Sequence, residues 1–133
     1  MIISFTGFMG VGKSTVASLL AKELFCKHYD LDRVIESKYL TSVNDLIANY
    51  GEDDFRDKER ITLAEIISKH KSTRDIIVIS LGGGALLTKE NQIIIKNNTT
   101  CIYLKANTTK IKERLLSSKK ERVLIKDITE ENF

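Results

Sequence analysis

Apolar residues arrive in two rhythms along this chain: short unbroken runs, and stretches where they recur every three or four positions. Met1 to Thr6 is the first run and predicts a buried strand. Residues 14–25 follow with Val16, Leu19, Leu20 and Leu24 at helical spacing. His28 to Asp32 predicts a short second strand ending in acids, and 33–40 a short helix. Ser42 opens another helix, in which Val43, Leu46, Ile47 and Tyr50 fall at i, i+3, i+4 and i+7. Ser42 with Asp45 three residues on resembles a capping box, and Gly51 suits the C′ position. A longer helix is expected from Asp53 or Asp54 to about His70. Its acidic first turn suits the helix dipole, and Leu63, Ile66 and Ile67 share its apolar face.

Asp75 to Ser80 carries Ile76-Ile77-Val78-Ile79 without polar alternation, the pattern of a central parallel strand covered on both faces. Gly82-Gly83-Gly84 breaks it at once. Residues 89–97 predict a helix and Thr100 to Leu104 a fourth strand. Asn107 or Thr108 can cap a helix to about Ser117 that carries Ile111, Leu115 and Leu116. Residues 117–126 are polar and basic and read as a loop, and Ile128 to Phe133 starts a further helix. Strands alternating with helices predict one α/β domain over 1–133 with a parallel sheet flanked by helices.

Composition narrows the function classes. The 42% hydrophobic and 29% charged fractions are those of a globular chain, and a net charge of +3 is no nucleic-acid footprint. No run approaches the roughly 18 apolar residues of a membrane span. Cys26 and Cys101 have neither metal nor disulfide spacing and read as free thiols. With no signal-like segment before the first strand, the expectation is a cytoplasmic protein with no membrane or nucleic-acid partner. His28 and His70 show no metal spacing and read as structural or surface residues.

The chemistry begins at Gly7-Phe8-Met9-Gly10-Val11-Gly12-Lys13-Ser14-Thr15, which fits G-x-x-x-x-G-K-[ST] between a strand and a helix. Backbone N–H groups of such a loop, at a helix N-terminus, cradle a polyphosphate. Gly10, Val11, Gly12, Lys13, Ser14 and Thr15 are therefore the expected nucleotide-binding positions. Lys13 reaches the β- and γ-phosphates, and the Ser14 hydroxyl ligates Mg²⁺.

Three further groups stand out. Asp30 and Asp32, at i and i+2 of the expected second strand, project to one face at its carboxyl end, where open α/β sheets bind ligands. Two solvated acids at a strand end would look the same. Arg56 opens a helix with Glu59 one turn on. The pair is either an exposed helical ion pair or a guanidinium held ready for a carboxylate. Gly82-Gly83-Gly84 permits close backbone approach to a ligand, although a tight strand-to-helix turn also uses glycine.

In order and spacing, the P-loop, Asp30-Leu31-Asp32, Phe55-Arg56-x-x-Glu59 and Gly82-Gly83-Gly84 resemble the shikimate kinase family across residues 1–118. The resemblance implies a P-loop NTPase fold of the nucleoside monophosphate kinase type. The expected sheet order is 2-3-1-4, with the family's fifth strand missing from this chain, and a lid at about 117–128. It implies transfer of the γ-phosphoryl group of ATP to the 3-hydroxyl of shikimate, with Mg²⁺, in aromatic amino acid biosynthesis, by a monomer. In that analogy Asp32 binds the reacting hydroxyl and takes its proton, and Arg56 binds the shikimate carboxylate. Gly82, Gly83 and Gly84 line the substrate pocket with Glu59. Asp30 joins Ser14 around Mg²⁺. Lys13, Asp32 and Arg122 form the catalytic set, with Arg122 facing phosphate from the lid.

The sequence departs from the family twice. The family's lid begins Arg-Pro-Leu-Leu, where this chain has Arg122-Val123-Leu124-Ile125. Arg114 is a second candidate, against adenine or phosphate, or else a solvated helix residue. The family also continues beyond the position of Phe133 and supplies there a second carboxylate-clamping arginine, so the expectation is a C-terminally incomplete domain. Competing readings are another small-molecule P-loop kinase, such as a gluconate or nucleotide kinase, and a nucleotide-binding module without catalysis. The chain has no N-K-x-D guanine motif, which argues against a GTPase.

Overall fold

A computed structural model describes residues 1–7 and 13–104, with the side chains of Lys13 and Ser14 left out of account. Four parallel strands form the sheet, in the order β2-β3-β1-β4. They are β1 (Ile2–Gly7), β2 (Lys27–Asp30), β3 (Ile77–Ser80) and β4 (Thr100–Leu104). Helix α1 (Lys13–Glu23) follows β1. Helices α2 (Leu31–Tyr39), α3 (Val43–Tyr50) and α4 (Glu52–His70) lie between β2 and β3. A 3-10 turn (Ala85–Leu87) and α5 (Lys89–Asn98) lead into β4. The expected order of 2-3-1-4 is therefore present.

Two apolar clusters explain why β3 lacks alternation. Val78 packs with Ile3, Phe5, Val16, Leu20 and Ile102 on the face that α1 covers. Ile77 and Ile79 point the other way, onto Leu31, Ile35, Leu46, Phe55, Leu63 and Ile67. Each of these buried side chains contributes roughly 1.5–3 kcal/mol relative to exposure. Lys58 of α4 ties the helical layer together. It bonds Asp54 and lies 5.4 Å from the Tyr39 ring centroid and 5.0 Å from that of Tyr50.

The strand register aligns the carboxyl ends. Phe5 and Asp30 both pair with Ser80, so the segments leaving β2 and β3 emerge side by side. His28 Nε2 and Ser80 Oγ bond across this seam at 2.9 Å, and His70 Nε2 meets Tyr29 Oη at 2.9 Å. Both imidazoles are thus structural, and burial lowers both pKa values. Neither Cys26 nor Cys101 is in a disulfide, and burial pushes the Cys101 thiol up.

One expectation about β2 needs correction. The strand ends at Asp30 and does not reach Asp32. The Asp30 carboxylate accepts from Arg33 N at 3.4 Å and caps α2, the task aspartate does well, and Asp32 lies in the first helical turn. The two acids therefore do not share a strand face. Other boundaries differ little from expectation. Helix α4 starts at Glu52 directly from Gly51, and Thr88 caps α5 through Asn91 N. The Ser42 cap has the expected bond, Asp45 N to Ser42 Oγ at 3.1 Å. Residues 105–133, with the expected helix after Asn107, Arg114, the lid and Arg122, lie outside the described residues, as do Gly10, Val11 and Gly12.

Candidate functional site

The first turn of α2, the N-terminal half of α4 and the glycine segment after β3 converge beyond the carboxyl ends of the sheet. Between them lies a cavity of about 300 Å³, walled by Asp32, Arg56, Glu59, Gly82, Gly83 and Gly84, with Val43, Ile47 and Phe55. All six polar or glycine residues named for the substrate side in the sequence thus meet in one place. Asp30 is not among the residues lining this cavity. Lys13 begins α1, at the helix end whose free N–H groups attract anions, with Ser14 and Thr15 in the same turn. Thr15 is exposed.

Close approach dictates glycine at two positions. A Cβ on Gly82 would lie 2.7 Å from Asp32 Oδ1, and one on Gly84 would lie 2.3 Å from Arg56 Nη2. Any side chain there would push the carboxylate or the guanidinium off its place. The backbone after β3 is itself held: Leu81 N donates to Phe5 O, Ala85 N to Gly82 O and Leu87 N to Gly84 O.

Arg56 is clamped from inside the protein. Its Nη1 donates to Glu59 Oε1 at 2.9 Å and Oε2 at 3.1 Å, and its Nη2 meets the exposed Glu52 Oε1 at 3.5 Å. The Glu59 side chain is 1% exposed, so this is no solvated helical pair. The guanidinium also lies 5.3 Å from the Phe55 ring centroid. Burial pushes the Glu59 carboxyl up, against the pull of Arg56. The nearby charge of Asp32 adds to the rise, and a bond from Asn91 opposes it.

That bond comes from a residue with no evident signal in the sequence. Asn91 Nδ2 donates to Glu59 Oε1 at 3.1 Å and to Ala85 O at 2.8 Å. Nothing in the helical run Lys89-Glu90-Asn91-Gln92 marks the third residue, which becomes special only through tertiary packing. Val43 and Ile47 were legible as an apolar helical face, but not as cavity wall. Among the described residues no group of three or more His, Cys, Asp or Glu could hold a metal ion. No helix among them is long and apolar enough to cross a membrane. The site offers a fixed cation beside Gly84 and a carboxylate beside Gly82 in one cavity, a set of groups that can bind a small molecule bearing both a carboxylate and a hydroxyl.

Comparison with known proteins identifies the family. A family model described as shikimate kinase matches residues 9–133. Shikimate kinase of Azobacteroides pseudotrichonymphae is 38% identical over 131 residues, covering 98% of this chain and 75% of that protein. The enzyme of Chlorobium limicola is 39% identical over 125 residues, covering 94% of this chain and 60% of that protein. The chain thus spans 75% and 60% of the lengths of these relatives. The solved structure of shikimate kinase from Acinetobacter baumannii in complex with shikimate superposes with a TM-score of 0.73 at 29% identity, over 97% of this chain and 74% of that one.

Proposed function

The chain belongs to the shikimate kinase family, and from that premise we propose that its protein transfers the γ-phosphoryl group of ATP to the 3-hydroxyl of shikimate. The observation that carries this reading is the Arg56 guanidinium, locked by buried Glu59 and lining one cavity with Asp32 and Gly82–Gly84. A carboxylated, hydroxylated ring of shikimate's size meets both a cation and a hydrogen-bond acceptor in this cavity. Arg56 offers the planar two-point contact that a carboxylate prefers. Val43, Ile47 and Phe55 supply the apolar wall for the ring face.

Each step follows from positioning. Asp32 accepts the hydrogen bond of the reacting hydroxyl and takes its proton as the new P–O bond forms. Phosphoryl transfer has a loose transition state, so alignment and neutralisation of charge do most of the catalysis. Lys13 and the N-terminus of α1, with Gly10, Val11, Gly12, Ser14 and Thr15, hold the triphosphate of ATP. By the family analogy, Arg122 of the expected lid at about 117–128 would meet phosphate and Arg114 adenine or phosphate; both lie outside the described residues.

The donor set fits Mg²⁺. A divalent ion there would rest on one carboxylate, a hydroxyl and phosphate oxygens, the hard oxygen donors that Mg²⁺ takes. Ser14 and Asp30 would hold it, and it would neutralise phosphate charge. The reading carries with it a cytoplasmic monomer.

The test is ADP release by the full-length protein with ATP and Mg²⁺, with and without shikimate, and phosphorus NMR of the product. The expected result is shikimate-dependent release and a single 3-phosphate ester. Equal turnover of gluconate or a nucleoside monophosphate would overturn the assignment, and nucleotide binding without turnover would favour a module that has lost catalysis.

A further inference from the structure

Asn91 has no exposed surface. Its amide nitrogen spends both hydrogens, one on Ala85 O and one on Glu59 Oε1, while its Oδ1 has no hydrogen-bond partner among the described residues. Turning the amide over would set its oxygen against a carbonyl and a carboxylate, so the partners fix its orientation. A buried orphan acceptor is unfavourable. A side chain that tolerates one in order to deliver two donors is placed for those donors.

Both recipients belong to the site. Ala85 is the residue after Gly84, and its carbonyl ends the glycine wall. Glu59 is the clamp of Arg56. Arg56 Nη2 in turn lies against Gly84. The links Ala85, Asn91, Glu59, Arg56 and Gly84 therefore close a ring that leaves the wall and returns to it, joining α4, α5 and the turn after β3.

We infer that Asn91 is a positioning residue for substrate binding: it holds the Glu59 carboxylate and the glycine wall in fixed relation, so that the Arg56 guanidinium presents one geometry to the substrate carboxylate. The inference rests on the reading that Arg56 is the carboxylate anchor. Asn91 itself touches no substrate atom. Its loss lets Glu59 and Arg56 shift together against Gly84, which weakens shikimate binding and leaves nucleotide binding alone.

The experiment is steady-state ADP release by the full-length protein, varying shikimate and ATP separately. The variants are Asn91→Ala, Asn91→Asp, Glu59→Gln, Asn91→Ala with Glu59→Gln, and Arg56→Lys. Asn91→Asp keeps the shape and replaces the donor by an oxygen. Both Asn91 variants are expected to raise the shikimate KM at least about fivefold, with the ATP KM within about twofold. The double variant is expected to be no worse than Glu59→Gln alone, because Asn91 acts through Glu59. A fall in kcat with both KM values unchanged, or full additivity in the double variant, overturns the inference. So does failure of both Asn91 variants to fold by circular dichroism, which makes Asn91 a fold residue only. If Arg56→Lys raises the shikimate KM and the Asn91 variants do not, this inference alone fails. If Arg56→Lys changes nothing, the anchor reading fails and takes the inference with it.

Discussion

The two ends of the sheet each open into a cleft, and the larger one is at the amino end. Leu24, Lys27, His70, Arg74 and Ile77 help to line about 490 Å³ there, against about 300 Å³ at the carboxyl end. Both clefts contain arginine and an acid. The difference is how the charges are held. Lys27, Arg74 and Asp75 are exposed, and the buried His70 is engaged with Tyr29. At the carboxyl end the arginine is bonded to a carboxylate that solvent hardly reaches, and that carboxylate is bonded again from behind. Immobilised charge, not volume, distinguishes the site. It costs little extra ordering when a ligand arrives, because the protein has already restricted the side chains.

The comparison breaks most sharply at Asp32. Asp32→Asn is expected to lower kcat roughly a hundredfold or more, the range for loss of a positioned base, with the ATP KM unchanged. Unaltered turnover would remove Asp32 from the chemistry.

A smaller loss is expected from Gly84→Ala. The new Cβ would meet Arg56 Nη2 at 2.3 Å and drive the guanidinium from its place. The shikimate KM should rise about tenfold to a hundredfold, matching a charge-assisted bond of roughly 1.5–3 kcal/mol. A wild-type KM in a folded Gly84→Ala protein would mean that Arg56 does not need this wall.

The buried carboxylate also predicts a pH effect. Glu59 titrates above its ordinary 4.5, chiefly through burial. As pH falls through its folded value, protonation weakens its charge-assisted hold on Arg56. The shikimate kcat/KM should therefore decline on an acid limb above 4.5, and Glu59→Gln should abolish that limb. Stability runs the other way. A raised folded pKa contributes stability that is complete below the unfolded value and lost as pH rises through the folded value. Kinetic profiles of both proteins check the limb, which must be absent from the variant.

The smallest effect belongs to an exposed ion pair outside the cavity. Lys38 Nζ bonds Glu65 at 2.9 Å, with side chains 33% and 59% exposed. Such pairs contribute below about 1 kcal/mol, so Lys38→Ala should shift Tm slightly and leave both KM values alone. A large kinetic effect would show that exposure is a poor guide to which charges matter in this fold.

Much of this is legible in the sequence alone. The unbroken apolar run around Val78 marked the central strand because both its faces are buried. The 3.6-residue rhythm located α3 and α4, and glycine clustering marked a wall that structure explains by two close approaches. Asp32 was misplaced on a strand because an acid that caps a helix and an acid that ends a strand look alike in sequence. Asn91 could not be found at all. Its importance lies in distances to Glu59 and Ala85, and no local pattern encodes a contact across 32 residues. Val43 and Ile47 satisfied the periodicity of a core face, which says nothing about whether that face meets protein or a cavity.

The central claim is that held charge at the carboxyl end binds the substrate while exposed charge at the amino end does not. A matched pair of variants tests it directly: Arg56→Lys and Arg74→Lys in the full-length protein, each assayed for shikimate KM by ADP release. Lysine keeps the charge and loses the planar two-point contact. The account predicts at least a tenfold rise for Arg56→Lys and a change below twofold for Arg74→Lys. Equal effects, or an unchanged KM in Arg56→Lys, would contradict it.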